Sequence, residues 1–267
     1  MKKKILVRGP VLSRSGYGEQ TRFAIRSLRA YEDIYDIFIM PTNWGKTGWV
    51  WEENEERQWV DEKIKQTVLH TNQGGQFDMS LQVTIPNEWE KLAPINIGYT
   101  AGIETTKVAP QWVEKSYLMD RIVVVSNHAK QIYETTTYQA TDKSTGQTID
   151  DFRCQTPIEV VNYPVRDIGK PDGLDLELET DFNFLVSSQW GPRKNIDNTI
   201  KWFIEEFHDQ DVGLVAKLNW HNDSINDRMG TERRLKQILS QYGDRKCKVY
   251  LLHGSLTDQE MANLYAH

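Results

Sequence analysis

Two cations, Arg193 and Lys194, sit in the string SSQWGPRKNIDNTI, after an apolar run and before an amphipathic one. That order predicts a strand, a loop and a helix start. Fixed positive charge beside a helix N-terminus, at the carboxyl end of a parallel strand, is where open α/β sheets hold a diphosphate. The competing reading is a solvated basic pair. Lys217 closes the next apolar run, and His253 with Gly254 closes the one after it. Three successive strand ends would then line one crevice.

A second loop, SRSGYGE, lies between KILV and EQTRFAIRSLRAY. Gly16 and Gly18 would let a ligand approach the main chain, where backbone N–H groups and a helix N-terminus can meet an anion. A tight structural turn explains the same glycines. The loop fits neither GxGxxG nor GxxxxGK[ST], which weighs against dinucleotide and ATP sites of those kinds. Glu104, which precedes Lys107 in NIGYTAGIETTK, is either a sugar or acceptor ligand or a surface carboxylate. Trp44, Trp49, Trp51 and Trp59 crowd a segment read as a long loop, where such rings stack on a sugar or base or simply pack. HDQD (208–211) and HNDSIND (221–227) mix histidine with carboxylates but read as a turn and a helix cap rather than a metal site. Asp78, Glu88 and Glu90 read as structural, with PNEWEKL as a helix start that has Pro86 near its first turn.

The elements that must position these residues follow from apolar runs and breakers. Strands are predicted at KILV, 35–40, 80–84, 95–100, 121–126 and 158–161. Their apolarity is continuous rather than alternating, which suggests burial on both faces of a mostly parallel sheet covered by helices. A polar stretch, DIGKPDGLDLELETD, reads as a linker. Beyond it the pattern restarts as strand 182–187, helix 195–208, strand 211–218, helix 225–243, strand 248–254 and a capped helix start at TDQEMANLYAH. The expectation is an α/β chain of two Rossmann-like, doubly wound domains: residues 1–165, a linker over 166–180, and a second, incomplete domain over 181–267.

Composition bounds the class. The chain has 267 residues, 39% hydrophobic and 26% charged, with 32 Lys+Arg against 38 Asp+Glu, enough for a sizeable core and ordinary for a globular protein. The formal charge of -6 gives no global basic field for a nucleic-acid backbone. Cys154 and Cys247 cannot form a disulfide framework, and no spacing suggests zinc. A reducing, cytoplasmic setting is expected, since MKKKILVRGP lacks a signal peptide's apolar core and no run approaches the roughly 20 apolar residues of a membrane span.

Several strings resemble the retaining glycosyltransferases of family 4 in order and spacing. They are SGYGEQTRFAIRSL, NIGYTAGIETTKVAPQWVEKSYLMDRIVVVSNHAKQIY, FLVSSQWGPRKNIDNTIKWFIEEF, DVGLVAKL and VYLLHGSLTDQEMANLYAH. The resemblance spans nearly the whole chain and implies the GT-B fold, two Rossmann-like domains facing across a cleft, the first for acceptor and the second for a nucleoside diphosphate sugar donor. It implies sugar transfer with retention of configuration, of hexosyltransferase type, with no metal or other cofactor. Gly16 and Gly18 match the loop that approaches donor phosphates and acceptor. Lys194 matches the lysine of the pair that neutralises the departing diphosphate; the paired arginine is replaced by Ser188, and Arg193 is the nearby substitute charge. Lys217 and Gly254 would lie near the nucleotide. Fixed cations are the chemistry needed, because cleavage leaves charge on the β-phosphate.

Two departures accompany the resemblance. The family's first-domain histidine is missing from NIGYTAGIETT, and the chain stops at NLYAH, before the strand and the paired glutamates that grip the donor. A truncated donor domain is therefore expected, with weak donor binding and with FNFLVS left as an open sheet edge through which copies could associate. A noncatalytic GT-B-like assembly module and a nucleotide-sugar epimerase are the alternatives.

Overall fold

The computed structural model describes residues 2–50, 52–141, 144–165, 172, 174 and 176–266. Two compact units emerge, one of Met1–Gly45 with Trp49–Val165, the other of Lys46–Gly48 with Arg166–His267. Most of the segment expected to link domains, residues 166–171, 173 and 175, lies outside the described residues.

In the first unit the chain runs β1 (Lys3–Gly9), α1 (Gly16–Arg29), β2 (Tyr35–Pro41), α2 (Glu55–Asn72), β3 (Met79–Val83), β4 (Ile95–Thr100), α3 (Pro110–Ser116), β5 (Arg121–Val124), α4 (Asn127–Thr135), β6 (Tyr138–Thr141), β7 (Thr148–Phe152) and β8 (Ile158–Val160). Six strands form one sheet in the order β2-β1-β3-β4-β5-β8, every neighbour pair parallel. Chain order reverses between β1 and β3, and ligand crevices of such sheets open at that kind of switch point. Continuous apolarity has the expected cause: Ile5, Leu6 and Val7 of β1 and Ile37, Phe38 and Ile39 of β2 are all buried. One cluster gathers Val7, Ile25, Ile39, Val60, Val83 and Tyr99; another gathers Trp89, Val113, Ile122, Val124 and Tyr133. Each fully buried Ile or Val contributes about 2 kcal/mol of transfer free energy.

Two local readings need correction, and one pair of strands went unread. The long loop expected from Trp44 to Trp59 ends at Asn54, whose side chain accepts from the Arg57 N–H and caps α2. PNEWEKL makes a single 3-10 turn, Pro86–Glu88, and not a helix, because Trp89 returns to extended backbone and is fully buried. Strands β6 and β7 pair antiparallel where no element was expected, because these largely exposed strands carry too few apolar residues to show as a pattern.

The second unit runs β9 (Asn183–Gln189), α5 (Ile196–Phe207), β10 (Gly213–Asn219), α6 (Ile225–Leu239), β11 (Lys248–Leu252) and α7 (Asp258–Ala266). Its strands are parallel in the order β11-β10-β9. Ile196, Ile200 and Ile204 give α5 a fully apolar face, packed with Leu214, Ala216, Leu218 and Leu235. Thr257 and Glu260 cap α7 reciprocally: the Glu260 carboxylate accepts from the Thr257 N–H at 2.7 Å, and the Thr257 hydroxyl accepts from the Glu260 N–H at 3.2 Å. Among the described residues β9 pairs on one side only, and Phe182, Phe184 and Leu185 are exposed along it.

Candidate functional site

The glycine loop of the first unit sits at the carboxyl end of β1. Ser15 caps α1, its hydroxyl accepting from the Gly18 N–H at 3.0 Å. Gly16 is exposed, and a β-carbon there would meet nothing within 4 Å. Gly18 differs: a β-carbon would lie 2.0 Å from the Ser13 carbonyl oxygen and 3.0 Å from that of Pro10. Gly18 is thus required by the chain's own close approach of loop to helix. Arg22 braces the same loop, donating to the carbonyls of Val11 at 2.7 Å and Ser13 at 3.0 Å.

Tyr17 ties this loop to the end of β4. Its hydroxyl lies 2.8 Å from the Thr100 hydroxyl and accepts from the Ala101 N–H at 3.1 Å. Burial raises the Tyr17 pKa, with those two hydrogen bonds working the other way. Its ring lies 4.3 Å from that of Trp44. Gln20, fully buried one turn along α1, accepts from the Tyr163 hydroxyl at 3.4 Å through its side-chain oxygen, while its amide nitrogen has no hydrogen-bond partner. Burial pushes Tyr163 up to about 12, helped by Tyr17 and Tyr99, so this rim keeps its phenols protonated across neutral pH. Glu104 is exposed, four residues past the end of β4.

Of the other tryptophans, Trp49 is 57% exposed, Trp51 lies outside the described residues, and Trp59 has moved into α2, where its indole N–H donates to Glu32 at 3.1 Å. Among the three described, Trp44 is the one whose ring lies against a rim residue, tilted by 36° to Tyr17, and Trp59 has a packing role.

In the second unit Arg193 and Lys194 occupy a 3-10 turn, Pro192–Lys194, between β9 and α5, and both are exposed. Asn195 follows in the left-handed region, φ 52°, and starts α5 without a side-chain cap. Ser188, near the end of β9, stands in register with Leu218, and Lys217 stands in register with Ser187. The Lys217 amine reaches across to β11's end and donates to the Gly254 carbonyl at 2.5 Å. Gly254 has φ 111°, a conformation that favours glycine. These carboxyl-end residues therefore belong to one rim, with Lys217 and Gly254 directly joined.

Sequence reasoning missed the group that holds the rim together. The Asp227 carboxylate accepts from the backbone N–H groups of Trp220 at 2.9 Å, His221 at 2.7 Å and Asn222 at 3.4 Å. His253 Nε2 donates to it at 2.8 Å, and the two side chains are only 3% and 5% exposed. Burial alone would raise the Asp227 pKa; His253 and the backbone donors together hold it below the ordinary value. Asp227 sits in the first turn of α6 behind the Ser224 cap. The helix-cap reading of HNDSIND found that cap, and only the fold could bring His253 to it.

Among the described residues no group of histidine, cysteine and carboxylate side chains could hold a metal ion. No described helix is long and apolar enough to cross a membrane. No protein-family model matches this chain, and no curated protein matches it.

Proposed function

We propose that this protein is a GT-B-like glycosyltransferase that moves a sugar from a nucleoside diphosphate sugar to an acceptor with retention. The observation that carries the reading is the turn at Arg193 and Lys194, two exposed cations between the carboxyl end of a parallel strand and the start of a helix. In this reading Lys194, assisted by Arg193, takes the charge that develops on the leaving diphosphate. Ser188, Lys217 and Gly254 shape the nucleotide side of the same rim. On the first unit, Gly16 stands exposed on the loop offered to phosphate or acceptor, Gly18 seats that loop against α1, and Glu104 meets acceptor or sugar.

Thermal unfolding with a panel of nucleoside diphosphates tests this. At least one should raise the transition temperature of the protein, and Lys194→Ala should abolish that rise while leaving the ligand-free transition in place. A shift that survives the substitution, or no shift with any nucleotide, sinks the donor site.

Among the described residues β9 is an uncharged edge paired on one side only, which favours a second reading, a noncatalytic module that assembles through this strand. It predicts no nucleotide shift and a mass that rises with concentration in sedimentation.

A further inference from the structure

The loops after β9 and β10 each open with a tryptophan, Trp190 and Trp220, and Arg234 from α6 reaches both. Its guanidinium carbon lies 5.6 Å from the Trp190 ring centre and 5.3 Å from that of Trp220. Asp197, in the first turn of α5, accepts from Arg234 at 3.1 and 2.6 Å and from the Trp190 indole N–H at 2.7 Å. With Pro192 and Asn195 these side chains line a surface pocket wholly within the second unit.

The lining selects its ligand. Asp197 and Arg234 neutralise each other, so an ion entering the pocket would have to break a bidentate pair. A neutral guest is favoured. The half-buried Trp220 indole and Pro192 suit a ring with an apolar face, while Trp190 is buried in the core behind them. Polar edges remain: Arg234 meets Asp197 through Nε and Nη2, leaving Nη1 to donate outward, and Asn195 spends its side-chain oxygen on Asn198 at 2.9 Å, leaving its amide N–H groups. A flat hydrocarbon ring would leave those donors unmatched, and an open polyol would not use the indoles. We propose that this pocket binds a neutral sugar ring, stacked by its C–H face on Trp220 and hydrogen-bonded through its hydroxyls to Arg234, Asn195 and Asp197. The site does not use Lys194 and stands or falls separately from the diphosphate site.

Ligand-observed NMR and calorimetry on the whole chain, with glucose, galactose, mannose and N-acetylglucosamine as probes, test it. At least one sugar should bind saturably with a dissociation constant on the order of millimolar, the range of a single small subsite. Trp220→Ala should weaken that binding at least tenfold, Trp220→Phe should keep part of it, and Lys194→Ala should leave it unchanged. If Trp220→Ala does not fold, the exposed Asn195→Ala carries the test with a several-fold loss. The proposal is overturned if none of the four sugars binds saturably, if the folded Trp220→Ala chain binds like the parent, or if adenosine, a flat aromatic probe, binds more tightly than every sugar.

Discussion

The β1–α1 loop and the β9–α5 loop occupy equivalent places, each leaving the carboxyl end of a parallel strand and entering a helix, yet they spend their polar groups differently. The first is filled by its own chain: Ser15 caps the Gly18 N–H, Arg22 braces the carbonyls of Val11 and Ser13, and Gly18 packs against Ser13. The second leaves two cations exposed and enters its helix through an uncapped, left-handed Asn195. A loop that packs on its own chain builds the fold, whereas one that holds charge at the surface beside a helix start can serve a ligand. The glycine motif near the start therefore carries more structure than chemistry at Gly18, and the cationic turn is the better place to look for an anion.

The largest expected effect breaks this contrast at its stiffest point. Gly18→Ala forces a β-carbon onto a backbone oxygen at 2.0 Å, and the chain should lose about 4 kcal/mol or fail to fold. Urea unfolding measures it, and an unchanged midpoint would mean the loop yields freely. Next comes Asp227, the self-satisfied group of the second rim. Asp227→Ala strands His253 and three backbone donors and should cost about 3 kcal/mol, read from the unfolding of the second unit.

Acid probes the same carboxylate without mutation. Asp227 and Asp197 both have depressed pKa values, Asp227 against its burial through His253 and backbone donors, Asp197 chiefly through Arg234 with Trp190 assisting. Depressed carboxylates stabilise above their unfolded pKa, about 3.9 for Asp, and that stability drains as pH falls through the lower folded values. The second unit should hold its stability down to about pH 4 and lose it below, with the Asp227→Ala chain showing a shallower loss. Equal slopes in pH-dependent unfolding would remove Asp227 from this role. Asp197 is more than a third exposed, so its share should be small.

The smallest effect belongs to Gly16. With open space around it at a helix start, Gly16→Ala should change stability by no more than about 0.5 kcal/mol. A loss as large as that at Gly18 would erase the distinction between the two glycines.

What was readable in advance was local. Buried strands such as β1 and β10 announce themselves as unbroken apolar runs because both faces are covered, and α1 is marked by Ala24 and Leu28 at helical spacing, a series that also took in Tyr31, which lies past the helix end and is exposed. The cationic turn was legible for the same reason, since strand, loop and helix are contiguous there. Helix α2 was not, because only Val60 and Thr67 are buried while Val68 and Leu69 face outward, which blurs the period. The β6–β7 hairpin failed likewise for want of a buried face.

Sequence by itself determined the alternation of strands and helices and the residues standing at strand ends, because propensity, caps and hydrophobic period act over a few residues. Tertiary structure alone decided the sheet order, the tie from Tyr17 to Thr100, the bond from His253 to Asp227, and the grip of Arg234 on Asp197, residues 83, 26 and 37 positions apart. Such contacts depend on which strands become neighbours, and short-range pattern contains no information about that.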